Sequence, residues 1–186
     1  TARLKIRETL EVVDRTIEGI RRIIGRLSPL VLQELGLLAA VRKEAKDLAM
    51  SAGVKARVTV SQGFGRLPAA LEIAIYRVVQ EALHNVAQHA NASTVTIDLR
   101  REGEQVKLLI EDDGQGIIST RPNPGRQTFG LTGMRERIGN VGGKIKVISA
   151  RGKGTRIEVS APVVDTTLAV DQALAAGGPG AVARGA

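Results

Sequence analysis

The segment QVKLLIEDDGQG, residues 105–116, joins an alternating strand to a glycine-rich loop. The apolar residues that define the strand occupy every second position: Val106, Leu108 and Ile110. Asp112 has the same parity, so it is expected to point toward the covered face of a sheet. Gly114 and Gly116 follow at short spacing, and glycines let a backbone pass close to a ligand because no Cβ intervenes. The segment therefore predicts a binding pocket at the end of a strand.

Thr155 is predicted to lie near this carboxylate. It has the parity of Ile157 and Val159 in another predicted strand, so a hydroxyl and a carboxylate emerge on the covered side at two strand ends. A buried acceptor such as Asp112 needs a donor, and the amino group of adenine is one donor that would fit. The alternative is that Asp112 frays into solvent or caps the following turn.

Alternation of polar and apolar residues predicts five strands: residues 54–61, 94–101, 105–112, 144–149 and 155–161. Each has one polar and one aliphatic face, which is typical of a largely antiparallel sheet covered by helices on one side. Apolar residues at helical spacing predict four helices: residues 4–27, 30–50, 69–90 and 133–141. Residues 113–132 lack periodicity and are expected to form a long loop. The expected fold is an α/β (α+β) two-layer sandwich with a mixed, largely antiparallel five-stranded sheet, preceded by an N-terminal helix.

The chain is expected to contain three regions: residues 1–28, 29–162 and 163–186. Helix 4–27 carries one apolar stripe that needs a partner, and it should end before Pro29 because a residue preceding proline is disfavoured in a helix. Residues 29–162 contain the sheet and the pocket. Residues 163–186 are rich in Ala and Gly and are predicted to be disordered.

Composition limits the classes of function. Aromatic residues are only 2% and the net charge of +8 is spread along the chain, so nucleic acid is not expected as a partner. The absence of cysteine excludes disulfides and thiolate chemistry. No apolar run is long enough to span a bilayer. A cytoplasmic location is expected, with membrane attachment only through regions missing from this chain.

A polar cluster lies on predicted helix 69–90 and comprises Glu81, Asn85, Gln88 and His89. The spacing places Glu81, Asn85 and either of the last two along one flank, beside the apolar stripe. A carboxylate and an amide oxygen, completed by waters and phosphates, would make a Mg²⁺ site. The alternative is an ordinary solvated flank. His84 lies away from this line, and two histidines without a third ligand in reach do not predict zinc.

The segment GLTG, residues 130–133, leads into predicted helix 133–141. Unpaired backbone N–H groups at a helix start attract phosphate, and glycines let a phosphate approach them. Arg135 and Arg137 would add positive charge. The alternative is a flexible loop with a glycine start.

In this order, the motifs resemble the ATP-binding catalytic domain of sensor histidine kinases, the GHKL or Bergerat fold shared with DNA gyrase B, MutL and the heat-shock chaperone ATPases. The matching segments are YRVVQEALHNVAQHA (76–90), DDGQG (112–116), GLTGMRER (130–137) and GKGT (152–155). GLTGMRER, together with RLSP (26–29) and ELGL (34–37), resembles the NarX/DesK-like class. The resemblance spans about residues 27–162.

The resemblance implies roles for individual residues. Asn85 would ligate Mg²⁺, and Glu81 would assist at the metal or its waters. Asp112 would accept from the adenine amino group, with Thr155 supporting it through water. The other nucleotide-binding residues implied by the motifs are Gln88, His89, Gly114, Gly116, Ile117, Gly130, Leu131, Thr132, Gly133 and Met134. Gln88 stands where lysine is frequent in the family, which would weaken a phosphate contact.

The resemblance also implies a function. The chain would bind ATP and Mg²⁺ and transfer the γ-phosphoryl group to a histidine on a preceding helix, for relay to the receiver domain of a response regulator. Helix 4–27 would be the second helix of the hairpin through which the full-length protein forms a homodimer. No His-Asp phosphoacceptor motif occurs in the sequence, so the chain is expected to be a fragment that cannot phosphorylate itself.

Two other functions remain open at this point. An anti-sigma-factor-type serine kinase has the same ATP-binding fold, but it would not need helix 4–27 leading into Ser28 and Pro29. A non-catalytic nucleotide-binding or interaction module is the second alternative, and Gln88 is the sequence feature that favours it.

Overall fold

The structure, a computed structural model, describes residues 29–117 and 127–163. Its α-helices are α1 (Pro29–Ala52), α2 (Ala69–Asn85) and α3 (Gln127–Gly139), and α2 continues into a π-helical turn, Val86–Ala90. The strands are β1 (Lys55–Val60), β2 (Thr94–Glu102), β3 (Gln105–Asp112), β4 (Lys144–Ser149) and β5 (Thr155–Pro162). The predicted order of helices and strands is confirmed within these ranges.

The strands form a single sheet in the order β1-β2-β3-β5-β4. β1 and β2 are parallel, and every other neighbouring pair is antiparallel. The register pairs Asp112 of β3 with Thr155 of β5. The expected mixed, largely antiparallel sheet is therefore confirmed, and it brings the two predicted pocket residues to adjacent positions.

The core lies between one face of the sheet and the helices. Alternate residues of the neighbouring inner strands β2 and β3 are at most 2% exposed: Val95, Ile97, Leu99, Val106, Leu108 and Ile110. Ile75, Val78 and Val79 of α2 are 0% exposed and belong to the same hydrophobic cluster. The opposite face of the sheet carries charged residues in β2 and β3, which confirms the two-layer arrangement with helices on one side.

Helix α1 is interrupted at Gly36, so the continuous helix predicted for residues 30–50 is wrong at this position. The φ of 76° and ψ of 168° at Gly36 lie outside the helical region and favour glycine. The guanidinium of Arg66 packs here, and a Cβ on Gly36 would lie 3.1 Å from its Nη1. Arg66 in turn pairs with the buried Glu72 at 3.5 Å. Apolar spacing did not reveal the break because the apolar residues continue on both sides of Gly36, although the low helix propensity of glycine favours a break there.

Helix α3 begins at Gln127, before the predicted start at Gly133. Glycine has low helix propensity, which favoured a loop through Thr132. Gly130 instead lies within the helix, and a Cβ there would collide with Glu81 Oε1, so this helical position requires a glycine. The expectation of unpaired N–H groups along GLTG is therefore wrong, since the N–H groups of residues 131–133 fall inside the first turns of an established helix.

Three expectations concern residues outside the described ranges. They are helix 4–27, residues 118–126 of the loop predicted for 113–132, and the disordered tail predicted for 163–186, of which only Val163 is described. Within residues 29–117 and 127–163, no helix combines the length and apolar character needed to cross a membrane.

Candidate functional site

A cavity of about 60 Å³ opens at the adjacent ends of β3 and β5, beside helix α2. Its lining comes from α2 and the π-helical turn, from both strands, from the loop after β3 and from α3. Seven of the predicted site residues line it: Asn85, His89, Asp112, Gly116, Ile117, Leu131 and Thr155. The motifs that are separated along the sequence thus meet at one place in the fold.

Asp112 is the buried carboxylate of this cavity, with 9% of the residue exposed. Its Oδ1 accepts a hydrogen bond from the Gly114 N–H at 2.9 Å, and the Thr155 backbone also hydrogen-bonds to the carboxylate. Burial raises the pKa of Asp112 above its ordinary value of 3.8, because the charged form loses hydration, and the two backbone hydrogen bonds offset part of this effect. A partly desolvated carboxylate favours a ligand that donates hydrogen bonds to it.

Asp113, the neighbouring carboxylate, has a different environment. It is exposed and accepts three hydrogen bonds of 2.8 Å, from the Ser93 N–H, the Thr94 N–H and the Thr94 hydroxyl. These bonds, chiefly those from Thr94, lower the pKa of Asp113 below its ordinary value. Asp113 therefore stabilises the start of β2, whereas Asp112 lines the cavity.

The loop after β3 is tied to the π-helical turn that ends α2. The Gln115 N–H donates to the Ala90 carbonyl at 2.7 Å, and Gln115 Nε2 donates to the His89 carbonyl at 2.6 Å. A Cβ on Gly114 would collide with the Ala90 carbonyl, so this position requires glycine for packing. Gly114 does not line the cavity itself. Its effect is to let the loop lie against the helix end and so to fix the wall formed by the following residues.

The turn between β4 and β5 holds the other side of the same loop. Two N–H groups of the turn donate to loop carbonyls at 2.8 Å: Gly152 to Gln115, and Gly154 to Gly114. Gly116 has a φ of 73°, and a Cβ there would collide with the Ala150 carbonyl. The loop is therefore clamped between a helix end and a strand turn.

The polar flank of α2 divides into distinct environments. Asn85 is half-buried and lines the cavity. Glu81, one turn earlier, is half-buried, and its carboxylate lies against Gly130 of α3. Gln88 is exposed and does not line the cavity, whereas His89 does. Within the described ranges, no group of three or more His, Cys, Asp and Glu residues is arranged to hold a metal ion.

Helix α3 contributes Leu131 to the cavity, while its other predicted residues lie elsewhere. Met134 is 0% exposed and belongs to the hydrophobic core. Thr132 is exposed, and Gly133 lies beside the guanidinium of Arg137, since a Cβ there would be 3.4 Å from its two terminal nitrogens. Neither Gly130 nor Gly133 forms part of the cavity surface, and only Gly130 is required for packing, because a Cβ on Gly133 would make ordinary contacts.

Five apolar lining residues were not predicted: Ala82, Val86, Ala90, Ile110 and Ile157. The signal for two of them was present in the sequence, because Ile110 and Ile157 share the strand parity of Asp112 and Thr155. Ser149 was also missed. Its Oγ accepts from the Ile117 N–H at 2.8 Å and lies 3.0 Å from Thr155 Oγ1, and these contacts have no local sequence signature.

Residues 70–165 match the sequence profile of the histidine kinase-, DNA gyrase B- and HSP90-like ATPases. The chain belongs to this ATPase family. It is therefore an ATP-binding domain, and the cavity lies within the matched residues.

The relatives of this ATPase domain among curated proteins include sensor histidine kinases. The chain is 37% identical over 146 residues to the signal transduction histidine-protein kinase/phosphatase UhpB of Salmonella typhimurium, covering 78% of this chain and 28% of the relative. It is 32% identical over 159 residues to the signal transduction histidine-protein kinase/phosphatase DegS of Brevibacillus brevis, covering 86% and 41%. A sensor histidine kinase of Rhizobium johnstonii, MctS, is 32% identical over 162 residues, covering 87% and 35%. The chain spans less than half the length of each of these three proteins.

Solved structures show the same relationship. The histidine kinase domain of the blue-light activated histidine kinase from Erythrobacter litoralis EL346 superposes with a TM-score of 0.58 at 26% identity, covering 73% of this chain and 65% of that one. The Acinetobacter baumannii histidine kinase AdeS has a TM-score of 0.55 at 16% identity, covering 83% and 80%, which is a likeness of fold alone. The family indicated by the sequence motifs is confirmed.

Proposed function

We propose that the cavity receives the adenine of ATP and that the chain acts as the catalytic domain of a two-component sensor histidine kinase. The observation that carries this proposal is the adjacent pair Asp112 and Thr155 at the end of an otherwise largely apolar cavity. A flat apolar ring with an exocyclic amino group would satisfy both features, because the ring prefers apolar walls and the amino group donates to the carboxylate.

Asn85 and Glu81 are proposed to serve the metal. Mg²⁺ prefers oxygen ligands and retains several waters, so the amide oxygen of Asn85 would bind it directly while the Glu81 carboxylate would contact its waters. When bound, Mg²⁺ would neutralise phosphate charge and orient the γ-phosphoryl group. The remaining work of the chain is positioning, and the clamped loop around Gly114 and Gly116 holds the cavity wall in one geometry for that purpose.

The phosphoryl acceptor is proposed to be a histidine on a dimerisation hairpin, followed by an aspartate in the receiver domain of a response regulator. The support for this step is that UhpB, DegS and MctS are histidine kinases and that each aligns with most of this chain. The predicted apolar stripe of helix 4–27 is consistent with the second helix of such a hairpin and with a homodimer of the full-length protein.

Nucleotide binding is tested by titrating the 186-residue chain with Mg·ATP, alongside Asp112→Asn and a matched control, Glu111→Gln. Glu111 is the adjacent residue of β3, exposed on the opposite face of the sheet. Asp112→Asn should weaken binding about tenfold or more, since a charged hydrogen bond contributes roughly 1.5–3 kcal/mol, and Glu111→Gln should leave it unchanged. Absence of ATP binding to the unaltered chain, or equal affinities for the two variants, would overturn the assignment of this site.

Phosphotransfer is tested by adding radiolabelled Mg·ATP and a separate dimerisation hairpin that carries a phosphoacceptor histidine, taken from one of the relatives. We expect an acid-labile phosphoprotein, lost in Asn85→Ala and retained in Asn140→Ala, an exposed asparagine just beyond α3. Binding of ATP without transfer would favour a non-catalytic module. Acid-stable label on a serine of a protein substrate would favour the serine kinase.

A further inference from the structure

We propose that Ser149, at the end of β4, sets the base selectivity of the cavity by fixing the direction of the Thr155 hydroxyl hydrogen. Ser149 is half-buried and does not line the cavity, so it would act as a positioning residue through its neighbour. This inference rests on the proposed nucleotide site, and it concerns which base that site selects.

The side-chain oxygen of Ser149 has three hydrogen-bonding partners. The Ile117 N–H donates to it at 2.8 Å, it donates to the Gly154 carbonyl at 2.9 Å, and Thr155 Oγ1 lies at 3.0 Å. A serine hydroxyl has one hydrogen and two acceptor lone pairs. The Gly154 carbonyl can only accept, so we assign the single Ser149 hydrogen to it, and Ser149 then interacts with Thr155 as the acceptor. The Thr155 hydroxyl is therefore the donor in that pair.

This assignment determines what Thr155 offers to a ligand. Its hydrogen is directed to Ser149, so only its oxygen lone pairs remain for the cavity that it lines. The residue paired with it across the strands, Asp112, also presents an acceptor when ionised. Two neighbouring acceptors match a group with two N–H hydrogens, such as the 6-amino group of adenine, directly or through a water.

A base with a carbonyl at the same position would meet these acceptors without a donor. The 6-carbonyl of guanine or hypoxanthine is itself an acceptor, and unpaired acceptors brought together in a partly buried site are unfavourable. Ser149 would therefore favour amino purines over oxo purines. If the Ser149 hydroxyl were absent, the hydroxyl of Thr155 could rotate and donate to a carbonyl of the base.

The test compares Kd values for Mg·ATP and Mg·ITP, because inosine carries a carbonyl in place of the 6-amino group. The unaltered chain should prefer ATP, and Ser149→Ala should reduce the ITP/ATP ratio of Kd values by about five- to tenfold, the size expected for one neutral hydrogen bond. Ser149→Thr retains the hydroxyl and should retain the ratio. The control Ser160→Ala, on the opposite face of β5 from the cavity, should change neither Kd.

A second variant tests the route through Thr155 and does not depend on the folding of Ser149→Ala. Thr155→Val removes the acceptor and should also lower the ratio, and adding Ser149→Ala to it should have no further effect on the ratio. Equal weakening of ATP and ITP by Ser149→Ala, or an unchanged ratio in Thr155→Val, would overturn the selectivity proposal while leaving ATP binding intact. Failure of the unaltered chain to bind ATP would instead overturn the proposed function.

Discussion

Gly152 and Gly154 form a matched pair for testing whether the close approach of the β4–β5 turn to the end of β3 contributes to stability. The two glycines have nearly the same backbone conformation, with φ of 71° and 70°. Nothing lies within 4 Å of a Cβ placed on Gly152, whereas a Cβ on Gly154 would collide with the backbone carbonyl of Asp112. Substitution by alanine therefore produces the same backbone strain at both positions and a collision at only one.

The magnitudes follow from these two effects. A left-handed conformation costs an L residue roughly 1–2 kcal/mol, and the smaller conformational entropy of unfolded alanine offsets about 0.4–1 kcal/mol of this. Gly152→Ala should therefore lower the free energy of unfolding by about 1 kcal/mol. Gly154→Ala adds an overpacking penalty of about 1–3 kcal/mol, because the obstructing atom is backbone in a hydrogen-bonded strand pair and cannot rotate away. We expect a difference between the variants of about 2 kcal/mol.

Urea denaturation measures this difference directly, and unchanged m values would show that the two variants unfold to comparable states. Gly154→Ala should also weaken Mg·ATP binding, since the displacement occurs where Asp112 pairs with Thr155, while Gly152→Ala should bind as the unaltered chain does. Equal destabilisation by the two substitutions would refute the close approach at Gly154.

Three further predictions concern side chains near the cavity and on α2. Burial raises the pKa of Asp112, so the folded protein holds this proton more tightly than the unfolded chain, and the contribution of Asp112 to stability falls as pH rises from about 3.8 through the folded-state pKa. Asp112→Asn should remove that loss and leave stability at neutral pH equal or higher. Hydrogen bonds lower the pKa of Asp113, so its contribution is complete above about pH 3.8 and is lost as pH falls through the folded-state pKa; Asp113→Asn should therefore be destabilising at neutral pH. Urea unfolding at several pH values checks both aspartates, and pH dependences of the same sign would contradict the two assignments. Tyr76→Phe removes the 2.6 Å hydrogen bond from its hydroxyl to Glu44 of α1 and should lower the free energy of unfolding by about 1 kcal/mol, whereas unchanged stability in the same assay would show that this bond makes no net contribution.

Strand positions and strand faces could be predicted from the sequence because side chains alternate between the two faces of a strand, so polar and apolar residues alternate along it. β3 and β4 have the predicted boundaries, 105–112 and 144–149. The same parity placed Asp112 and Thr155 on the covered face, and the register shows them paired. The site residues that lie on strands could thus be predicted from the local alternation of residue types.

The features that were missed depend on contacts between distant segments. Gly36 breaks α1 where Arg66 packs, and Gly130 lies inside α3 where Glu81 packs. Neither contact leaves a periodic signal. The low helix propensity of glycine favours the break observed at Gly36, but it misleads at Gly130, which is helical. Ser149 is similar in part, because one of its three partners, Ile117, lies in the loop after β3, 32 residues away, while the other two, Gly154 and Thr155, are close in the sequence.

The glycines of the loop and turn motifs have a different physical role from the one that their spacing first indicated. The sequence favoured the view that they let a ligand approach the backbone. In the structure, a Cβ on Gly114, Gly116 or Gly154 would collide with a backbone carbonyl of the protein itself, on Ala90, Ala150 and Asp112 respectively. These glycines therefore let three backbone segments pack against one another, and that packing positions the buried carboxylate of Asp112. Substitutions at these positions should consequently alter the cavity by displacing its walls, even though only Gly116 among them contributes to its lining.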